Sequence, residues 1–276
     1  MTGAVTGAVK ELGRIVRVFP ALLKVGLAEA IAYRAEFVVW MLTTTLPLVM
    51  LALWSAVARE APVGRFGEAE FTAYFLGALV VRTLTGSWVV WEMNQEIRTG
   101  TLSMRLLRPI HPFVAYAGEH LAAIPMRAAI ALPAVFVMVA LVGGERFTRD
   151  PRLLALAPLA LAGAWAITFL AMLVIGSLGL FIQKSVALFE VWLGLFAVLS
   201  GYLVPLELLP PWLRAVSAWL PFRYMLGFPV EVLVGLATPA QAVAGLAAQA
   251  AWALGLAVLA AVVWRAGLRR FEAHGG

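Results

Sequence analysis

Residues 153–182 read LLALAPLALAGAWAITFLAMLVIGSLGLFI, a run of thirty positions with no charged side chain. A bilayer core of about 30 Å is crossed by about 20 mostly apolar residues in helical form. This run reaches that length with some to spare. Windows of the same kind lie at about 35–58, 70–92, 113–142, 185–205 and 240–264. The pattern predicts an all-α membrane protein with six transmembrane helices. Composition agrees: 63% of residues are hydrophobic and 13% charged, against roughly 45–50% and 25% in soluble domains. No polar stretch is long enough for a second domain, so residues 1–276 read as a single transmembrane domain.

Outside the spans, three segments stand out. In residues 1–33, Leu12, Ile15, Val16, Phe19, Leu22, Leu23 and Leu27 recur at helical spacing, with Lys10, Arg14, Arg17 and Lys24 between them. This is the pattern of an amphipathic helix lying in the interface, basic side to the headgroups; the alternative is a soluble helix packed on a partner. No apolar core followed by a cleavage site marks a signal peptide. Pro20, Pro125 and Pro133 are expected to kink their helices, because proline lacks a backbone donor. Residues 206–238 are apolar but broken by Pro210, Pro211, Pro221 and Pro229. They read as two short helices, about 211–219 and 222–236, that enter one leaflet and return. Non-helical backbone at that depth is tolerated only against protein or water. With six spans and the N-terminus inside, twelve Lys and Arg fall on the inner side and seven on the outer. That bias places both termini in the cytoplasm, and the 206–238 hairpin outside.

Several chemistries have no support. The chain has no cysteine, and His111, His120 and His274 lack ligand spacing, so neither a disulfide nor a metal site is expected. No G-x-x-x-x-G-K-[ST] pattern occurs. Lys184-Ser185 supplies the last pair, but Leu178 and Gln183 stand in place of the glycines. No G-x-S-x-G, H-E-x-x-H or paired-carboxylate arrangement is present. No catalytic residue is assigned, and the chain does not read as an enzyme or a nucleic-acid binder.

Two segments carry motifs. Within residues 93–112, Glu96-x-x-x-Gly100-Thr101-Leu102 leads to Leu106-Leu107-Arg108-Pro109. Glu96, Arg98, Arg105 and Arg108 suggest a water-facing side, and Leu102, Met104, Leu106 and Leu107 an apolar one. A short helix ending at Pro109 fits this mix. It could dock in a cleft of a soluble partner, or be a plain loop that only anchors topology. Beyond span five, Gly201 to Pro205 and Leu208-Leu209-Pro210-Pro211-Trp212 are followed by Leu220-Pro221-Phe222. The aromatics Tyr202, Trp212, Trp219, Phe222 and Tyr224 suit an interface belt.

Placed in this order, the two segments resemble those of the permease family of ATP-binding cassette (ABC) type-2 exporters, and most closely its small prokaryotic six-span branch. The resemblance runs from the amphipathic helix to the last span. It implies an export permease of the bacterial plasma (inner) membrane, paired with a second permease, identical or not, and mounted on separate nucleotide-binding ATPase subunits. ATP and Mg would then belong to that partner, with no cofactor bound by this chain. By the same resemblance, Glu96, Gly100, Thr101 and Leu102 belong to a cytoplasmic coupling helix, and residues 206–238 to external re-entrant helices. Spans two and five would line the translocation path, which points to Thr83, Thr85, Ser87 and Trp88, and to Trp192, Phe196, Ser200 and Tyr202. The apolar lining favours a hydrophobic or amphipathic substrate.

Arg82, Glu119, Arg127 and Glu190 lie at or near membrane depth. A charge at mid-bilayer costs roughly 2.5–3.5 kcal/mol on insertion scales. Each is expected to face protein or water, as a substrate contact, as a relay, or in a pair such as Arg82 or Arg127 with Glu119 or Glu190. Two other functions are open to such a chain. An ion-gradient-driven secondary transporter would carry inverted repeats and broken central helices, and no repeat is visible. The other is a non-transporting membrane assembly factor.

Overall fold

The computed structural model describes residues 13, 18–28, 45–142, 147–182 and 185–271. Their helices in chain order are α1 (Val18–Ala28), α2 (Leu46–Glu60), α3 (Glu68–Thr85), α4 (Val89–Thr99), α5 (Leu102–Leu106), α6 (Pro112–Ala122), α7 (Ile124–Val142), α8 (Pro151–Leu178), α9 (Ser185–Leu199), α10 (Pro211–Trp219), α11 (Pro221–Met225), α12 (Gly227–Leu233) and α13 (Pro239–Leu268). A 3₁₀ turn covers Leu206–Leu208. Among the described residues there is no β-strand, only an isolated bridge between Val63 and Phe66. Among the described residues, three stretches are long and apolar enough to cross a membrane: Glu68–Thr99, Pro151–Leu178 and Pro239–Leu268.

Helix α8 is the centre of the bundle and touches α3, α4, α9, α11, α12 and α13. Small residues make this possible. A Cβ at Gly176 would overlap the Met93 side chain of α4, and one at Gly163 would overlap Gln249 of α13. Small residues at such crossings let backbones approach where lipid gives no hydrophobic drive to associate. Gln249 Nε2 donates to the carbonyls of Ala160 and Tyr224, both at 2.9 Å, which ties α13 to α8 and α11. An aromatic ladder, Trp54, Phe71 and Phe75, fixes α2 to α3 with ring centroids 5.3 and 6.2 Å apart.

The outer surface is apolar. Val49, Leu53, Phe136, Val191, Leu254, Val258 and Val262 are all largely exposed. Exposed apolar side chains in this number fit a surface that meets a membrane or a partner.

The predicted boundaries shift in informative ways. Span two does not run through 70–92: it stops at Thr85 and restarts at Val89 across Gly86-Ser87-Trp88. The single span at 113–142 divides at Ala123 into α6 and α7, and Pro133 lies inside α7. The short helix at 211–219 is found at those residues, whereas the segment at 222–236 splits into α11 and α12 around Leu226. The first part of the expected span at 35–58, and most of the expected interfacial helix, lie outside the described residues. The described part, α1, rests its Leu22 against Gly118 of α6.

Candidate functional site: a clamped foot on helices α4, α5 and α6

Helix α4 ends at Gly100, whose φ of 74° is left-handed. Glycine takes that conformation without the penalty a side chain incurs, so the chain reverses at once into α5. Ser103 Oγ donates to the Gly100 carbonyl at 2.7 Å. Thr99 Oγ1 donates to the Gln95 carbonyl at 2.9 Å and lies 2.8 Å from the Thr101 hydroxyl. Leu102 is fully buried and anchors α5 in the core.

Arg105 of α5 binds all three elements together. Its Nη2 donates to Glu96 Oε1 at 2.7 Å, its Nε to the same oxygen at 2.9 Å, and its Nη1 to Glu119 Oε1 at 2.9 Å. Its guanidinium stacks over the Tyr116 ring with 4.1 Å to the centroid. Tyr116 closes the loop by donating its hydroxyl to Glu96 Oε2 at 2.5 Å. Glu96 belongs to α4, and Tyr116 and Glu119 to α6, so one guanidinium staples three helices. Burial alone would lower the pKa of Arg105; the hydrogen-bonded carboxylates of Glu96 and Glu119 outweigh it and hold the pKa above the ordinary arginine value.

This arrangement corrects the sequence reading of the segment. Glu96 and Arg105 do not face water; they turn inward, with Arg105 13% and Glu96 19% exposed. Nor is the apolar side uniform: Leu102 is buried, while Met104 is 65% and Leu107 80% exposed. Arg98, Thr101 and Arg108 share the exposed side. Of Glu96, Gly100, Thr101 and Leu102, only Thr101 is presented outward. The signal for the clamp was the spacing of Glu96 and Arg105 across a glycine turn, together with two polar residues at 116 and 119 on an otherwise apolar helix.

A second polar group lies one turn nearer the N-terminus of α4. Glu92 accepts from Trp88 Nε1 at 2.8 Å and lies 3.3 Å from His120 Nε2. Asn94 Nδ2 donates to Ser185 Oγ at 2.8 Å, which joins α4 to α9.

The charges near membrane depth pair differently from the sequence expectation. Glu119 serves Arg105. Glu190 is exposed on α9. Among the described residues, neither Arg82 nor Arg127 forms a salt bridge with a carboxylate. Arg82 stacks over Phe196 and Tyr202, at 5.4 and 5.9 Å. Arg127 stacks over Trp88 at 4.3 Å and donates from Nη1 to the Gly86 carbonyl at 2.6 Å. The candidate path residues Thr83, Thr85, Ser200 and Tyr202 are buried within the chain. Ser87 lies in the break, and Trp192 stacks on Phe196 at 5.2 Å. The ends of α3 and α9 therefore meet through Arg82, Phe196 and Tyr202.

At the opposite end, Arg65, Glu207, Arg214, Arg223 and Glu231 line a cavity of about 230 Å³. Arg65 pairs with Glu207, and Arg223 with Glu231 at 2.8 Å.

No curated protein matches the chain. A family model for ABC-2 family transporter proteins matches residues 63–275, from the turn before α3 to beyond α13. The chain belongs to the ABC-2 family of transporter proteins.

Proposed function

We propose that the chain is the permease subunit of an ABC exporter, moving a hydrophobic or amphipathic substrate out of the cytoplasm or inner leaflet. The reading takes it as a six-span subunit of the bacterial inner membrane with both termini in the cytoplasm. It pairs with a second permease, alike or paralogous, and hydrolyses no ATP. A separate ATPase subunit supplies the energy and carries ATP and Mg. Residues 206–238 act as external re-entrant helices that cap the exit.

The observation that carries this reading is the Arg105 clamp. It makes α4, α5 and α6 one piece, joined to α3 across the Gly86-Ser87-Trp88 break. Met104, Leu107, Thr101, Arg98 and Arg108 are its outward face, with two apolar knobs ringed by positive charge. A face of this kind suits a cleft on a soluble protein whose rim is acidic. Because the foot is clamped to two elements of the bundle, a movement of the cleft tilts them instead of bending α5. Nucleotide binding to the partner shifts the bundle between conformations only if one of them fits the altered cleft better.

The test is reconstitution. The purified chain alone should hydrolyse no ATP, and a cognate cassette ATPase should gain or change its hydrolysis rate when the chain joins it in vesicles. ATP hydrolysis by the isolated chain, or a cassette protein indifferent to it, would count against the proposal.

A further inference from the structure

Helix α3 breaks at Gly86-Ser87-Trp88, inside the apolar stretch Glu68–Thr99. Arg82 lies fourteen positions beyond Glu68, about 21 Å at the helical rise of 1.5 Å per residue. Two guanidiniums converge on the break. Arg127 Nη1 binds the Gly86 carbonyl at 2.6 Å, and Arg82 Nη1 lies 3.7 Å from where a Cβ on Gly86 would stand. Arg127 is 3% exposed, and its Nε and Nη2 are buried without a hydrogen-bond partner. Arg82 interacts with the Tyr202 side chain and leaves its buried Nε without a partner. Each guanidinium stands in the other's field.

Among the described residues, Glu92 is the carboxylate that acts on Arg127, and it does not neutralise both guanidiniums. Glu92 contributes a weaker opposing field at Arg127, and its oxygens are taken up by Trp88 and His120. The break also presents the N-terminus of the eleven-residue helix α4, where Val89 N–H donates to Ser87 Oγ at 3.5 Å and Trp91 N–H to the Trp88 carbonyl at 2.8 Å. That end of a helix favours negative charge. Two like charges, three buried guanidinium nitrogens without an acceptor among the described residues and the positive end of a helix suit one ligand chemistry, an anion. The aromatic rings of Trp88, Phe196 and Tyr202 beside it suit an apolar body attached to that anion.

We infer that the break in span two is a binding site for the anionic headgroup, a phosphate, sulfate or carboxylate, of an amphipathic molecule. Arg82 and Arg127 grip the headgroup, and the α4 N-terminus faces it. The molecule is either the exported cargo, which rests on the permease reading above, or a resident anionic lipid, which does not.

The probe is dodecyl phosphate, titrated calorimetrically into the full chain in maltoside micelles, with dodecyl maltoside and dodecylphosphocholine as comparisons. Dodecyl phosphate should bind at least tenfold more tightly than either. R82Q and R127Q should each weaken it about tenfold or more, and R127K, which keeps the charge, should lose less. Should the glutamine variants fail to fold, S87D carries the test: it supplies a built-in carboxylate at the α4 N-terminus, so the protein should stay folded and lose dodecyl phosphate binding. Equal affinity for the three amphiphiles, or undiminished dodecyl phosphate binding in folded S87D, overturns the site. Native mass spectrometry of the wild type then separates the sources: a co-purifying anionic phospholipid that R127Q lacks identifies a resident lipid. Its absence, with dodecyl phosphate saturably changing the rate of the reconstituted ATPase, identifies cargo. If binding holds while no ATPase responds, the headgroup site stands and the permease reading is the part that fails.

Discussion

Arg105 and Glu96 are joined through two guanidinium nitrogens, at 2.7 and 2.9 Å from the same carboxylate oxygen, across the left-handed turn at Gly100. The fork geometry that makes this contact belongs to arginine and not to lysine. Removing one partner of a covered ion pair leaves the other charge unbalanced, which costs about 3–5 kcal/mol where burial is complete. Arg105 is 13% exposed, so R105Q should fall near the low end, about 3 kcal/mol. R105K should recover only part of the loss. Thermal melting of the purified variants checks both.

The outward face of the foot should behave in the opposite way. Met104 and Leu107 are exposed and hold nothing in place within the chain. Surface changes of that kind usually alter stability by less than about 0.5 kcal/mol. M104D and L107D should melt like the wild type, yet weaken capture of the ATPase subunit about tenfold or more, as truncated interface anchors do. Pull-down affinity alongside melting temperature separates the two effects.

Gly100 tests the turn. A side chain in the left-handed region costs roughly 1–2 kcal/mol, so G100A should destabilise the foot by about that much. G100N should cost less, since asparagine tolerates this conformation better. Hydrogen exchange at α5 would report the loosening directly.

Gly176 tests the close approach of α8 and α4. A Cβ there would overlap Met93. Overfilling a packed contact costs typically 1–3 kcal/mol, so G176V should lower the melting temperature. M93A should relieve part of that loss in the double variant, which a simple sum of single effects would not predict.

Arg223 and Glu231 predict a pH effect. Burial raises the pKa of Glu231, and Arg223 offsets it only in part. The folded state thus holds this proton more tightly than the unfolded chain. Its contribution is fully present below the ordinary carboxylate pKa and is lost as pH rises through the raised value. The melting temperature of wild type relative to E231Q should therefore fall as pH rises across that window. A difference that is flat with pH, or that grows, would contradict this.

Much of the bundle was legible in the sequence because membrane helices announce themselves by length and hydropathy. Residues 153–182 locate α8 almost to its ends, and residues 240–264 locate α13. What hydropathy cannot see is a break inside an apolar run. Gly86-Ser87-Trp88 interrupts span two without changing its average character, whereas the division of α6 from α7 at Ala123 falls two residues before Pro125, where an interruption is expected. The motif around Gly100 located the foot, but not which of its charged residues turn inward. That choice depends on Tyr116 and Glu119 of α6, at sequence distances of 20 and 14 residues from their partners. Pairing of the intramembrane charges was misjudged for a similar reason. Opposite signs in matching numbers suggested salt bridges, whereas Arg82 and Arg127 face aromatic rings and a backbone carbonyl.

The central claim is that the exposed side of α5 is where a nucleotide-driven partner takes hold. Single cysteines at Thr101 and Met104, in a chain that has none of its own, can carry a short cross-linker in intact membranes containing the cognate ATPase subunit. The account predicts an adduct with that ATPase from both positions and none from a cysteine at Trp219 on α10, at the opposite end of the molecule. Adducts from Trp219 with none from Thr101 or Met104 would contradict it.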